Sequence, residues 1–142
     1  MKQRILLLCT HNSCRSQMAE GLTNHFLSDR FQAFSAGTEA TRVNPMAIQV
    51  LAELGIDTSG LRSKTIDEFS GDSFDHVVTL CGDANENCPL FFGGVRRTHQ
   101  GFEDPSRLSG SEKILMPEFR RVRDEIRVWF NTCFGKIVQH IE

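Results

Sequence analysis

Tyrosine, tryptophan and long apolar runs are scarce or absent in this chain. It contains no tyrosine and one tryptophan in 142 residues. A membrane-spanning helix needs ~20 consecutive apolar residues, and no stretch of the sequence approaches that length. The residues before the first apolar segment are too few for an export signal. We therefore expect a cytoplasmic protein with no membrane partner.

An excess of charge of one sign is also lacking. Lys and Arg number 16 and Asp and Glu number 18, which leaves a formal net charge of −2. This balance provides no electrostatic basis for binding nucleic acid. The length and the apolar fraction of 39% are those of an ordinary soluble domain with its own core. We expect one domain over residues 1–142 that acts as a monomer.

The pattern of apolar residues predicts strands alternating with helices. Strands are expected at 5–8, 31–35, 74–80 and 95–98, and helices from Ser16 to about Ser28, from Asn44 to Gly55 and from about Met116 to His140, with a helical turn at 66–69. One side of the last helix is apolar and carries Phe119, Val122, Ile126, Trp129, Phe130, Cys133 and Ile137. Cys133 is therefore expected in the core. The alternation predicts an α/β fold with a doubly wound parallel sheet.

The segment from Cys9 to Ser16 connects the first predicted strand to the first predicted helix. Such a turn aims backbone N–H groups and the positive end of a helix at one point. The Arg15 guanidinium suits a tetrahedral oxyanion, and the same field favours a thiolate at Cys9. The segment predicts an oxyanion site with Cys9 as nucleophile at its base, lined by Thr10, His11, Asn12, Ser13, Cys14 and Arg15.

Two residues are expected to support this loop. Asn12 tolerates left-handed backbone angles, which would help to turn the N–H groups inward. Ser16 either donates a hydrogen bond to Cys9 or only caps the helix, and the sequence leaves both possibilities open.

A second group of thiols follows the third predicted strand. Cys81 and Cys88 are separated by six turn-forming residues, and the segment from Cys81 to Gly94 is predicted to be mobile. A loop of this kind could bring the two sulfurs within disulfide distance, or the thiols could be unrelated. A four-sulfur zinc site is disfavoured because the Cys81–Cys88 spacing is too wide. It would comprise Cys9, Cys14, Cys81 and Cys88.

Asp104 follows the fourth predicted strand, in the segment Gly101-Phe102-Glu103-Asp104-Pro105. Ligands of such sheets bind beyond the carboxyl ends of the strands, where Cys9, Cys81 and Asp104 would meet. A carboxylic acid there could protonate a departing oxygen, although Asp-Pro is also a common turn element.

Taken together, these motifs resemble the low-molecular-weight protein tyrosine phosphatase fold, a three-layer sandwich, and are similar to the thioredoxin-coupled arsenate reductases built on it. The resemblance covers nearly the whole chain, and the Cys81/Cys88 pair is its specific part. It is carried by Cys9-x5-Arg15-Ser16, Gln17–Gly21, Ser35-Ala36-Gly37, Asn44-Pro45, Val77–Cys81, Cys88-Pro89, Gly101-Phe102-x-Asp104-Pro105 and Phe119–Ile126.

The resemblance implies an enzyme without a cofactor that reduces arsenate. Cys9 would attack arsenic in the loop while Asp104 protonates the leaving oxygen. Cys81 would then attack Cys9 and release arsenite, and Cys88 would move the disulfide to Cys81–Cys88 for reduction by thioredoxin. Two alternatives remain: a low-molecular-weight phosphatase that hydrolyses phosphomonoesters, and a thiol redox sensor that does not turn over.

Several positions depart from the pattern of the family. His11 stands where glycine is most common, and it either narrows the loop mouth or points outward without a role. Lys64 stands where some relatives carry an aspartate that helps to bind potassium near Asn12, so its ammonium is expected to replace the cation and no metal is expected. Cys14 is interpreted as a structural thiol or a redox bystander rather than an essential thiol. Ser106 follows Asp104-Pro105 where phosphatases tend to carry tyrosine.

Overall fold

Four parallel strands form the centre of the computed structural model, which describes residues 2–82, 91 and 93–135. The strands are β1 (Gln3–Cys9), β2 (Phe31–Gly37), β3 (Phe74–Cys81) and β4 (Gly94–Phe102). Their order in the sheet is β2-β1-β3-β4, and each neighbouring pair is parallel. The predicted α/β fold with a four-stranded parallel sheet is therefore confirmed.

Three α-helices follow the strands: α1 (Arg15–Phe26), α2 (Pro45–Ala52) and α3 (Glu112–Phe130). Short 3₁₀ turns cover Ile66–Phe69 and Pro105–Arg107, and a π-helical turn covers Asn131–Gly135. None of the helices in the described part of the chain combines the length and apolar character needed to cross a bilayer.

The last helix differs from its prediction at both ends. It begins at Glu112, a turn before the predicted start, and Pro117 lies inside it. It ends at Phe130, where the backbone widens into the π-helical turn. That change of pitch buries Phe134 and leaves Cys133 exposed, so the prediction that Cys133 belongs to the core is wrong. Ile137 lies outside the described residues.

The core occupies both faces of the sheet, because β1 and β3 are its inner strands. All side chains from Ile5 to Leu8 are fully buried. Ile5 and Leu7 pack in the cluster that contains the apolar residues of α1 and α3, whereas Leu6 and Leu8 pack with Phe69 and Phe74 on the opposite face. Each such aliphatic side chain contributes roughly 2 kcal/mol by leaving water.

The carboxyl ends of the strands gather the predicted functional residues. Cys9 pairs with Gly37, and Cys81 pairs with Phe102, two residues before Asp104. Gly37 permits a close approach here, since a Cβ atom at this position would lie 2.6 Å from the carbonyl oxygen of Thr10. A larger residue would therefore displace the loop that follows Cys9.

Candidate active site

Cys9 is the last residue of β1 and lies directly below the turn into α1. Its side chain is only 2% exposed, and its sulfur lies 2.8 Å from the Ser16 hydroxyl oxygen. The helix is capped by Cys14 without a side-chain bond. Of the two roles left open for Ser16, the structure therefore shows the hydrogen bond to Cys9.

Asn12 organises the underside of the loop. It has a φ of 49°, which confirms the predicted left-handed backbone, and its side chain is completely buried. Its amide nitrogen donates to the Ser16 oxygen at 2.7 Å. Because Ser16 accepts this bond, its own hydroxyl hydrogen is available for the Cys9 sulfur. The amide oxygen of Asn12 in turn accepts the backbone N–H of Lys64 at 2.9 Å and the Gln17 amide at 2.9 Å.

A buried ion pair lies behind Asn12. The Lys64 ammonium donates to the Arg62 carbonyl at 2.9 Å and lies 3.7 Å from Glu20 Oε1. Ser35 donates its hydroxyl to the same Glu20 oxygen at 2.7 Å. Burial lowers the pKa of Lys64 and raises the pKa of Glu20, and in each case the charge of the partner opposes the shift. The pair places a positive charge inside the protein beneath the loop.

Sequence reasoning did not assign roles to Gln17, Glu20 or Ser35. Gln17 holds the loop by donating to the Asn12 and Arg62 carbonyl oxygens at 3.0 and 2.8 Å. The helical spacing of Ser16, Gln17 and Glu20 puts polar side chains on one side of α1, but it does not reveal their partners, and Ser35 on β2 carries no such signal.

His11 lies on the opposite, exposed side of the loop, at its mouth. Its Nε2 is 3.5 Å from Glu39 Oε2, and both side chains face solvent. The Ser63 hydroxyl donates to the His11 carbonyl at 3.1 Å, which ties the mouth to the segment before Lys64. His11 therefore points outward, next to an exposed carboxylate.

Arg15 and Asp104 face one another beside the loop. The Arg15 side chain is 2% exposed, and one of its terminal nitrogens lies 3.5 Å from Asp104 Oδ2, whose side chain is 9% exposed. Arg15 also donates to the Phe102 carbonyl at 3.3 Å. The predicted oxyanion ligand and the predicted acid are thus brought together in a largely dehydrated position.

Cys14 is a buried thiol in the same loop. Burial raises its pKa to about 12, and the charges of Asp104 and Cys9 add to the effect. The thiol therefore stays protonated at neutral pH and cannot compete with Cys9 as a nucleophile. This agrees with the interpretation of Cys14 as a structural residue.

Cys81 ends β3 and is 4% exposed. Its sulfur lies 3.8 Å from the hydroxyl oxygen of Thr10, the residue after Cys9. Cys81 takes part in a disulfide, whereas Cys9, Cys14 and Cys133 are free. The partner sulfur lies outside the described residues, as do Cys88 and most of the segment predicted to be mobile.

The described residues contain no arrangement of side chains suited to a metal ion. Within residues 2–82, 91 and 93–135, no group of three or more His, Cys, Asp or Glu side chains is arranged to hold a metal ion. The zinc alternative includes Cys88 and therefore lies in part outside this range.

Known proteins resemble this chain over most of its length. The model of the family described as "Low molecular weight phosphotyrosine protein phosphatase" matches residues 4–140. An arsenate reductase of Shouchella clausii is 49% identical over 125 residues, which are 88% of this chain and 90% of the relative. An arsenate reductase of Bacillus subtilis is 49% identical over 122 residues, or 86% and 88% of the two chains. A solved arsenate reductase in a phosphate-binding state superposes with a TM-score of 0.80 at 34% identity, covering 96% of this chain and 99% of its own.

Proposed function

Since this chain belongs to the low molecular weight phosphotyrosine protein phosphatase family, we propose that it is an arsenate reductase that uses Cys9, Cys81 and Cys88 in turn. Thioredoxin is the proposed reductant of the final disulfide. The curated relatives that share about half of its residues are named arsenate reductases. The reductase proposal explains all three thiols, whereas phosphate ester hydrolysis would need only Cys9.

The observation that carries the proposal is the position of Cys81 beside the loop. Its sulfur is 3.8 Å from the hydroxyl of Thr10, the residue that follows Cys9, and it takes part in a disulfide. Once that disulfide is reduced, a thiol at this position can attack an adduct on Cys9. Thiol exchange needs an attacking, a central and a leaving sulfur within reach of one another.

The first chemical step forms a bond between the Cys9 sulfur and arsenic. Arsenate occupies the loop Thr10–Arg15, and the Arg15 guanidinium balances its charge. The arsenic–oxygen bond to one hydroxyl group breaks, and the proton of Asp104 leaves with that group as water. Arsenic remains pentavalent in the Cys9 adduct, so this step alone would suit phosphate as well.

The second step distinguishes arsenic from phosphorus. The Cys81 thiolate attacks the Cys9 sulfur, the sulfur–arsenic bond breaks, and its electron pair stays on arsenic, which leaves as trivalent arsenite. Phosphorus in a thiophosphate does not accept electrons in this way. Cys88 then attacks Cys81, Cys9 leaves as thiolate, and the Cys81–Cys88 disulfide accepts two electrons and two protons from the thioredoxin dithiol.

Lys64 is proposed to act as the cation beneath the loop. Its ammonium is held by Glu20 and the Arg62 carbonyl, and its backbone N–H binds Asn12. Arsenate turnover should therefore be the same in potassium and in tetramethylammonium buffers at equal ionic strength. A severalfold activation by potassium would contradict this assignment.

The decisive experiment compares Cys88→Ser with the matched control Cys133→Ser, which removes an exposed free thiol. Turnover of arsenate is followed by NADPH oxidation with thioredoxin and thioredoxin reductase. We expect Cys88→Ser to abolish steady turnover while leaving any hydrolysis of a small aryl phosphate intact. The control should keep both activities. If the wild-type protein hydrolyses the ester but releases no arsenite, it is a phosphatase. If it neither hydrolyses the ester nor releases arsenite, but its disulfide is reversibly reduced and oxidised, it is a sensor.

A further inference from the structure

Ser106 binds the carboxylate of Asp104 through both its backbone and its side chain. Asp104 precedes the 3₁₀ turn Pro105–Arg107, and its Oδ1 accepts two hydrogen bonds from Ser106. One comes from the backbone N–H at 3.0 Å and the other from the hydroxyl at 2.7 Å. The other oxygen, Oδ2, faces Arg15 at 3.5 Å.

The two carboxylate oxygens are therefore unequal. Oδ1 already accepts two donors, so a proton there would have to displace one of them. Oδ2 lies beyond ordinary hydrogen-bond distance from Arg15 and can carry a proton without losing a bond. It is also the oxygen on the side of the oxyanion loop.

We propose that Ser106 is a positioning residue for the acid of the reaction: it fixes the Asp104 carboxyl so that the transferable proton resides on Oδ2, facing the loop. This inference rests on the proposed function, in which Asp104 supplies the proton that leaves with a hydroxyl group of arsenate as water. Ser106 itself touches neither the substrate nor the reacting atoms.

The Cys14 thiol lies close to Ser106, and it does not compete for the Asp104 carboxylate. Burial raises the pKa of Cys14 to about 12, with Asp104 and Ser106 among the groups that act on it. The protonated thiol donates to the hydroxyl of Ser13, at a sulfur–oxygen distance of 4.0 Å.

The charged groups around Asp104 do not supply an alternative restraint on Oδ1. Arg15 faces Oδ2, and Cys14 is close enough for the charge of Asp104 to raise its pKa. Glu103, the preceding residue, pairs with Arg121 of α3. Among these groups, the backbone and hydroxyl of Ser106 alone are bonded to Oδ1.

The test uses Ser106→Ala and Ser106→Thr, with Ser109→Ala as a control at an exposed serine in the same segment. Loss of one charge-assisted bond should lower kcat/KM for arsenate about tenfold in Ser106→Ala, and Ser106→Thr should restore it. Alkylation of Cys9 by iodoacetamide, which needs no acid, should be unchanged in all three variants. Phosphate should protect Cys9 from alkylation equally well in each.

A double-mutant cycle with Asp104→Asn separates positioning from general loss of structure. If Ser106 acts through Asp104, Ser106→Ala should have little further effect once the acid has been removed. An equal tenfold loss in the Asp104→Asn background, slower alkylation, or unchanged arsenate turnover in Ser106→Ala would each overturn the proposal.

Failure of the proposed function gives a different result. Wild-type protein that forms no arsenite would refute the reductase, and the same variants would then be compared on phenyl phosphate and 2,4-dinitrophenyl phosphate. The poorer phenol leaving group needs the acid, so the Ser106 proposal requires a larger loss on phenyl phosphate. Equal effects on both esters, or no hydrolysis that depends on Asp104, would overturn it.

Discussion

Two serine hydroxyls contact the two groups on which the proposed chemistry depends. One serine is buried and contacts Cys9, whereas the other is exposed and contacts Asp104. Ser16 is completely buried on α1 and lies 2.8 Å from the Cys9 sulfur. Ser106 lies in an exposed turn and is 2.7 Å from Asp104. The Ser16 oxygen also accepts a hydrogen bond from the Asn12 amide at 2.7 Å.

The difference in burial indicates how firmly each group is held. Water can replace the Ser106 hydroxyl, so its loss costs only the geometry that the side chain imposes. Water cannot reach the position of Ser16, so its loss also leaves the Asn12 amide unsatisfied in the interior. The proposed nucleophile is therefore held more rigidly than the proposed acid, which releases its proton in the proposed reaction.

The largest expected effect comes from Cys14, the buried thiol of the loop. It should appear in the pH dependence of the free energy of unfolding. The native thiol keeps its proton until about pH 12, whereas an unfolded cysteine loses it near 9.0. The stabilisation is complete below pH 9 and is lost as the pH rises toward 12, by up to about 4 kcal/mol.

Urea unfolding at pH 8, 9.5 and 11 measures this dependence in wild type and in Cys14→Ala. Groups common to both proteins cancel, so the free energy of unfolding should fall more steeply with pH in wild type. Parallel slopes would show that Cys14 does not hold its proton in the folded protein.

Ser16→Ala should give the next largest effect, on the reactivity of Cys9. The sulfur loses its hydrogen-bond donor, and the buried Asn12 amide loses its acceptor, at a combined cost of roughly 2–3 kcal/mol. We expect iodoacetamide to alkylate Cys9 about a hundredfold more slowly at pH 7, with reaction at the exposed Cys133 serving as an internal control. If Cys9 is alkylated as fast in Ser16→Ala as in Ser106→Ala, the two serines do not differ in their effect on the Cys9 thiol.

His11→Gly should give the smallest effect. The imidazole lies at the loop mouth and pairs with the exposed Glu39, and exposed pairs contribute about 0–1 kcal/mol. We expect KM for arsenate to change less than about fivefold with kcat unchanged. A large fall in kcat would mean that His11 belongs with the buried side of the loop.

The sequence allowed the sheet and the loop to be predicted because both follow local rules. The apolar run Ile5–Leu8 predicts an inner strand, and the spacing of Cys9, Asn12 and Arg15 predicts an anion-binding turn. The roles of Gln17, Glu20 and Ser35 could not be predicted, since their contacts join segments that are distant in the chain. Cys133 was misplaced because helical periodicity cannot reveal the π-helical turn that follows Phe130.

The contribution of Ser106 was equally hidden in the sequence. Asp104-Pro105 predicts a turn, but which carboxylate oxygen the turn binds depends on side-chain geometry. In the structure, Oδ1 faces Ser106 and Oδ2 faces Arg15. Only this placement distinguishes the supported oxygen from the one available for proton transfer.

The central claim is that three cysteines act in a fixed order to deliver two electrons to arsenic, and that Cys81 and Cys88 end as the oxidised pair. A single turnover tests it most directly: fully reduced protein is mixed with arsenate without thioredoxin, quenched with alkylating agent and mapped by mass spectrometry. We predict one arsenite per protein, a Cys81–Cys88 disulfide, and Cys9 recovered as an alkylated thiol. Arsenite release with Cys81 and Cys88 both alkylated, or no arsenite at all, would contradict the account.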